Sequence, residues 1–286
     1  MIPLLASLGI VLTGGIPSAQ AIEIIHPEKF TPDEVRVIQK IGDAFAVELD
    51  ALKPLPLRIE KIKSTDPKSS DYTRFDGRKQ RVTISISRAV TDINVFASTV
   101  CHELGHVLGG SGPVTADLPD AQAMREGIPT YTNIEGQADY FAAMKCIPRL
   151  ADVLPPVEPH SLCQGAVDEA RCSLVMTIGK IAINAMVDRR NQQARKDGIR
   201  GQLPRELDYG DRSNYRLPLT TYSGYSDDAC RLQTWKAAAL CDVDSWVDFS
   251  PTDEDQGACV DGAGMRPRCW YLRGSTPLTS PNGPRS

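Results

Sequence analysis

Three ionisable side chains sit inside an apolar run, Val100-Cys101-His102-Glu103-Leu104-Gly105-His106-Val107-Leu108. Few folds accept such a segment. The stretch from Thr91 to Leu108 has helical spacing, and Gly109-Gly110 supplies the residues that end a helix. On a helix, His102 and His106 stand one turn apart and about 40° apart around the axis, so both imidazoles reach one point. Glu103 projects about 100° away from His102. Val100, Leu104, Val107 and Leu108 demand that the helix be packed, and buried histidines demand partners. The surrounding chain must supply a core on one side of this helix and polar groups or a metal ion on another.

His-Glu-x-x-His on a helix is a metallopeptidase signature, in which the histidines bind zinc and the glutamate is the general base. A catalytic zinc takes three protein ligands and keeps one position open. In the metzincin arrangement the third ligand stands six residues after the second histidine. That position is Gly112, which has no ligand atom. The other arrangement uses a carboxylate on a second helix, expected here over roughly Asn133 to Lys145. Glu135-Gly136-Gln137-Ala138-Asp139 provides it. Glu135 and Asp139 are four apart and share a face. Glu135 can be the third ligand, and Asp139 can accept the N–H of a ligating imidazole and fix its tautomer. As an isolated pattern Glu-x-x-x-Asp says little; its weight comes from standing beyond His106 and leading into Tyr140-Phe141-Ala142-Ala143.

These two motifs resemble those of the gluzincin metallopeptidases, of which thermolysin is the best known. The tighter resemblance is to the group of the HtpX heat-shock proteases, the CAAX prenyl proteases and their soluble exported relatives, whose second motif commonly reads Glu-x-x-Ala-Asp. The resemblance spans the His102 helix to the end of the Asp139 helix. It implies one zinc ion per chain, held by His102, His106 and Glu135, with Asp139 orienting a histidine. It also implies an α+β, zincin-like fold with a small mixed sheet packed on the His102 helix, and a peptide or protein substrate. The membrane helices of the HtpX and CAAX proteases are missing here, and a cysteine-rich C-terminal half is added.

In such a site Glu103 would take a proton from the attacking water and pass it to the leaving amine. Tyr131, His160, Tyr222, Tyr225 and Arg231 are open candidates for the donor that steadies the oxyanion. His26 is read as incidental. Val82, Ile84 and Ile86 alternate with Thr83, Ser85 and Ser87, the period of a half-buried strand. This strand, Arg81 to Ser87, is expected to lead into the metal helix with one edge open, where an extended substrate could pair.

Met1 to Ala21 contain no charged side chain, and Ala19-Gln20-Ala21 fits a signal-peptide cleavage site. Eight cysteines without a Cys-x-x-Cys pair point to disulfides rather than a zinc ribbon; eight buried thiols are the alternative. Together these features predict an exported protein, periplasmic or secreted. No later stretch is read as the roughly 18 apolar residues of a membrane span. The net charge of −4 argues against nucleic acid as a partner. The expected organisation is a signal peptide over 1–21, a metallopeptidase core over 22–150 and a helical cysteine-rich subdomain over 151–286. Thr31-Pro32-Asp33-Glu34 reads as a capping box opening a helix that runs to about Leu49. Ser64 to Lys79 reads as a polar turn region. A long helix is expected from Cys163 to Lys196, and a shorter one, capped at Ser226-Asp227-Asp228, through Cys230 to Leu240. On that helix Cys230 and Cys241 would lie roughly 16 Å apart, too far to bridge each other. A zinc-bearing envelope binding or chaperone module with little proteolytic activity is the competing reading. A closed structural zinc site would ask for a fourth Cys or His, and none adjoins the motif.

Overall fold

The computed structural model describes residues 22–51, 57–63, 72–76, 81–110, 135–198, 205–212, 226–250 and 253–273. The stretch 1–21 read as a signal peptide lies outside the described residues, as does the segment between the two motif helices.

Helix α1 (Pro32–Ala44) opens with both halves of the capping box. The Glu34 N–H donates to the Thr31 hydroxyl at 3.3 Å, and the Thr31 N–H donates to the Glu34 carboxylate at 2.7 Å. Val37, Ile38 and Ile41 form its buried face. The helix does not run on to Leu49. Phe45 leaves helical geometry at φ −120° and ψ 23°, and the chain resumes as α2 (Ala46–Ala51). The Phe45 ring turns into the core against Phe141, with the Arg149 guanidinium 4.3 Å from its centre.

Strands β1 (Ile22–Ile25), β2 (Leu57–Ile62), β3 (Tyr72–Asp76) and β4 (Arg81–Ser87) form a sheet of order β1-β2-β4-β3. β1, β2 and β4 are parallel; β3 runs antiparallel to β4. The sheet is thus mixed, and packs with helices as an α/β assembly. β4 is a strand over the expected residues but not an edge strand. Ile84 pairs with Ile59 on one side and Thr73 on the other. The correction comes from Tyr72–Asp76, inside the stretch read as turn, where a strand covers the flank of β4. Leu57, Ile59, Val82, Ile84 and Ile86 are buried. Lys61 is buried as well, and meets Glu34 at 2.5 Å between the Phe30 and Phe96 rings. A charge taken into a core survives only with such a partner.

β4 leads into α3 (Ile93–Leu108), where the Asp92 carboxylate accepts the N–H groups of Asn94 and Val95. Helix α4 (Glu135–Phe141) continues through a π turn (Ala142–Cys146) into a last turn at Ile147–Arg149. Helix α5 (Glu169–Lys196) starts later than Cys163 because Gly165 turns the chain at φ +80° and Cys163 bridges back to Cys172. Asp168 caps it. Helix α6 (Asp228–Leu240) is capped by Asp227. One buried apolar cluster joins the sheet, α3, α4, α5 and α6.

All eight cysteines are paired: Cys101–Cys146, Cys163–Cys172, Cys230–Cys269 and Cys241–Cys259. Cys230 and Cys241 have separate partners, as their spacing requires. One expectation needs amending. By length and composition α5 could cross a membrane. Yet 56% of its apolar window is buried inside the protein, and Leu174, Val175, Met176, Ile178 and Ile183 fill the core. That burial accounts for its hydropathy.

Candidate metal centre

The two motif helices touch where their side chains vanish. A Cβ placed on Gly105 would lie 2.8 Å from both the Cα and the carbonyl oxygen of Ala138. No side chain larger than hydrogen fits, so the glycine of His102-Glu103-Leu104-Gly105-His106 lets α3 lie against the backbone of α4. The Cys101–Cys146 bridge, with Cα atoms 5.6 Å apart, ties the same helices together. Cys101 projects away from His102, so its bridge leaves the metal face clear. The Gln137 amide donates to the Gly109 carbonyl at 2.8 Å, satisfying an orphan group at the end of α3. On the far side of α4, the Trp270 ring fills the space where a Gly136 side chain would stand.

This packing gathers the residues singled out in sequence. The ligand atoms of His102, His106 and Glu135 all lie within 4.8 Å of one another. Glu135 Oε2 is 3.1 Å from His102 Nε2 and 3.6 Å from His106 Nε2. Ligand atoms bound tetrahedrally at about 2.05 Å from a zinc ion lie about 3.3 Å from each other. The two observed separations bracket that value. The histidine rings are nearly perpendicular, 87° apart. Two imidazoles and one carboxylate are a donor set that suits zinc.

Asp139 Oδ1 is 2.8 Å from His102 Nδ1, which leaves Nε2 turned toward Glu135 and His106. Burial opposes charge on His102, but Asp139 and Glu135 outweigh it and raise its pKa to about 10. Burial likewise opposes charge on Asp139, and the Arg231 guanidinium and His102 outweigh it, holding that carboxyl well below its usual range. Glu135 is lowered against its own burial, first by the His102 hydrogen bond and then by the charge of His106. The pocket thus directs the Glu135 carboxylate at the point the two imidazoles share, with the Asp139 carboxylate behind His102; a metal held there by Nε2 would require His102 in its neutral form.

Glu103 is 4% exposed and stands apart from the ligand set. The Thr73 hydroxyl lies 2.7 Å from its Oε2 and 3.0 Å from its carbonyl oxygen. Thr73 belongs to β3, so β3 runs beside Glu103. Arg231 is not available as an oxyanion donor: its Nε and Nη2 donate to Asp139 Oδ2 and Oδ1, each at 2.7 Å. The His160 ring accepts the Leu162 N–H and packs on Tyr209. His26 is exposed beside Glu28. Tyr131, Tyr222 and Tyr225 fall outside the described residues. Sequence reasoning passed over Thr73 and Trp270, single residues far from either motif, and Gln137, which stands within the second motif but whose bond to the Gly109 carbonyl is a tertiary contact.

A second cluster, Cys241, Asp242 and Cys259, also brings ligand-type atoms together. Its two sulfur atoms are joined as a disulfide and are not thiolates, which leaves Asp242 as its one ordinary ligand while the chain is oxidised. No protein-family model matches the chain, and no curated protein or solved structure matches it either. The geometry defines the class of site on its own: a His₂Glu set able to hold a metal ion, with Glu103 beside His102 on the same turn, outside the set and bonded to the Thr73 hydroxyl.

Proposed function

We propose that this chain is an exported zinc peptidase of the gluzincin type, with a zincin-like fold, hydrolysing peptide bonds in a peptide or protein substrate. One observation carries the reading. His102, His106 and Glu135 converge on a point, while Glu103, from the same helix turn as His102, stays out of the ligand set. A structural site would use four ligands and need no spare carboxylate.

When bound, the zinc supplies a Lewis acid that polarises the substrate carbonyl and makes a water more acidic. Glu103 takes the proton of that water and delivers it to the departing amine. Asp139 keeps His102 in the tautomer that presents Nε2. Among the described residues β3 pairs on one side only, and its free edge offers backbone groups to an extended substrate next to Glu103. Four disulfides fit an oxidising compartment, which supports export to the periplasm or beyond.

The test compares Glu103→Gln with Glu135→Gln, measuring zinc content and cleavage of a peptide library. Glu103→Gln is expected to keep its zinc and lose about 10²–10⁴-fold in rate, the usual worth of a general base. Glu135→Gln is expected to lose zinc. Equal cleavage by wild type and Glu103→Gln would reject the assignment of the base. A wild type that holds zinc yet cleaves nothing would favour the binding module.

A further inference from the structure

The two motifs account for the metal ligands but not for what holds Asp139. A carboxylate on its Cα–Cβ stem has a broad, soft terminal torsion, so a lone aspartate does not fix the plane of an imidazole. Here it is not alone. Arg231 reaches across from α6 and grips both oxygens, Nε on Oδ2 and Nη2 on Oδ1. Oδ1 is the oxygen that also meets His102 Nδ1. The rigid guanidinium fork sets the carboxylate plane, and the carboxylate sets the imidazole. Arg231 and Asp139 are both nearly closed to solvent, at 8% and 2% exposure, so no water competes freely for the pair.

The arginine is itself braced. Its neighbour Cys230 is bonded to Cys269. Trp270, next along, donates through its indole N–H to the Thr234 hydroxyl of α6 at 2.9 Å. The same ring presses on Gly136 of α4. α6, the Cys269-Trp270 segment and α4 thus close a frame around Asp139.

We infer that Arg231 is a positioning residue for the metal centre, making zinc affinity depend on α6; this rests on the zinc reading above. Arg149 supplies the control. It is equally buried, at 5%, and is held by Glu48, Asp248 and the Ser245 carbonyl, none of which touches the site.

The experiment measures the zinc Kd by competition with a chromophoric chelator in wild type, Arg231→Met, Arg231→Lys and Arg149→Met. The visible spectrum of the cobalt-substituted proteins and the melting of the metal-free proteins are recorded alongside. Arg231→Met is expected to bind zinc 10–100-fold more weakly, the usual cost of removing an outer partner of a ligand. Arg231→Lys, which keeps the charge but not the fork, is expected to fold and to fall between the two, with an altered cobalt spectrum. Arg149→Met is expected to melt lower while holding zinc within about twofold of wild type. An unchanged zinc Kd in folded Arg231→Lys or Arg231→Met overturns the inference. So does a loss of affinity in Arg149→Met that matches its loss of stability in the same proportion as the Arg231 variants. A wild type that binds no zinc removes the reading of the site itself, and the inference with it.

Discussion

Replacing Gly105 by alanine tests whether the helix contact sets the metal geometry. Alanine is the better helix former by about 1 kcal/mol, so propensity alone makes Gly105→Ala stabilising. The contact says otherwise. The new Cβ would sit 2.8 Å from the Cα and carbonyl oxygen of Ala138, and ordinary contact begins at 3.4 Å, so α3 and α4 must part by about 0.6 Å. The obstacle is backbone, so no rotamer change relieves it. Overpacking of this kind costs about 1–3 kcal/mol, which cancels or exceeds the propensity gain. The larger effect falls on zinc. Glu135 rides on α4 and the histidines on α3, and ligand distances tolerate about 0.2 Å. The expected result is a melting temperature changed by only a few degrees with zinc affinity reduced at least tenfold. Chelator competition and calorimetry on the same samples read both. A variant that melts higher and keeps the wild-type zinc Kd would show that the glycine does not set the spacing.

Three further outcomes follow from the packing. Lys145 is buried with its ammonium donating to the Asp244 carbonyl, and burial together with the charge of Arg149 lowers its pKa to about 7. Between that value and the ordinary 10.5 the unfolded chain holds a proton the folded chain does not. Stability should therefore rise with pH across this window by up to a few kcal/mol, and Lys145→Met should flatten the rise; parallel melting curves against pH would contradict this. Thr73→Val removes the hydroxyl beside Glu103 and should slow cleavage about tenfold at unchanged zinc content, where an unaltered rate would deny the contact a role. Loss of the Cys101–Cys146 bridge by paired alanine substitution opens a loop of 45 residues and should cost about 4 kcal/mol by chain entropy, checked by denaturant unfolding; a cost under about 1 kcal/mol would refute this.

The site was more legible than the frame around it. His102, Glu103 and His106 lie within one helical turn, and Glu135 and Asp139 within another, so local periodicity sufficed to place them on common faces. The α1 cap was legible for the same reason, since Thr31 and Glu34 are neighbours. The sheet was harder. β2 places Lys61 on the face that alternation reserves for apolar residues, and only the distant Glu34 makes that tolerable. β3 alternates too weakly to stand out, and without it β4 reads as an edge. Arg231 stood only among five open candidates for an oxyanion donor, because nothing local relates it to Asp139 on α4. The disulfide pairs, apart from excluding Cys230 with Cys241, depend wholly on tertiary contact.

The Cys101–Cys146 bridge also shapes what happens when the fold is lost. It remains closed in a denatured chain under oxidising conditions. His102 adjoins one half-cystine, and Glu135 stands eleven positions before the other. A flexible segment of that length spans about 17–20 Å on average. Such a tether holds the carboxylate near the imidazoles at an effective concentration on the order of millimolar to tens of millimolar. The denatured chain is then already a loose chelator. If the site holds zinc as proposed, zinc bound there would subtract from the stability that zinc confers on the native state. The same tether would keep the ligands close enough for such an ion to be recaptured as the helices re-form.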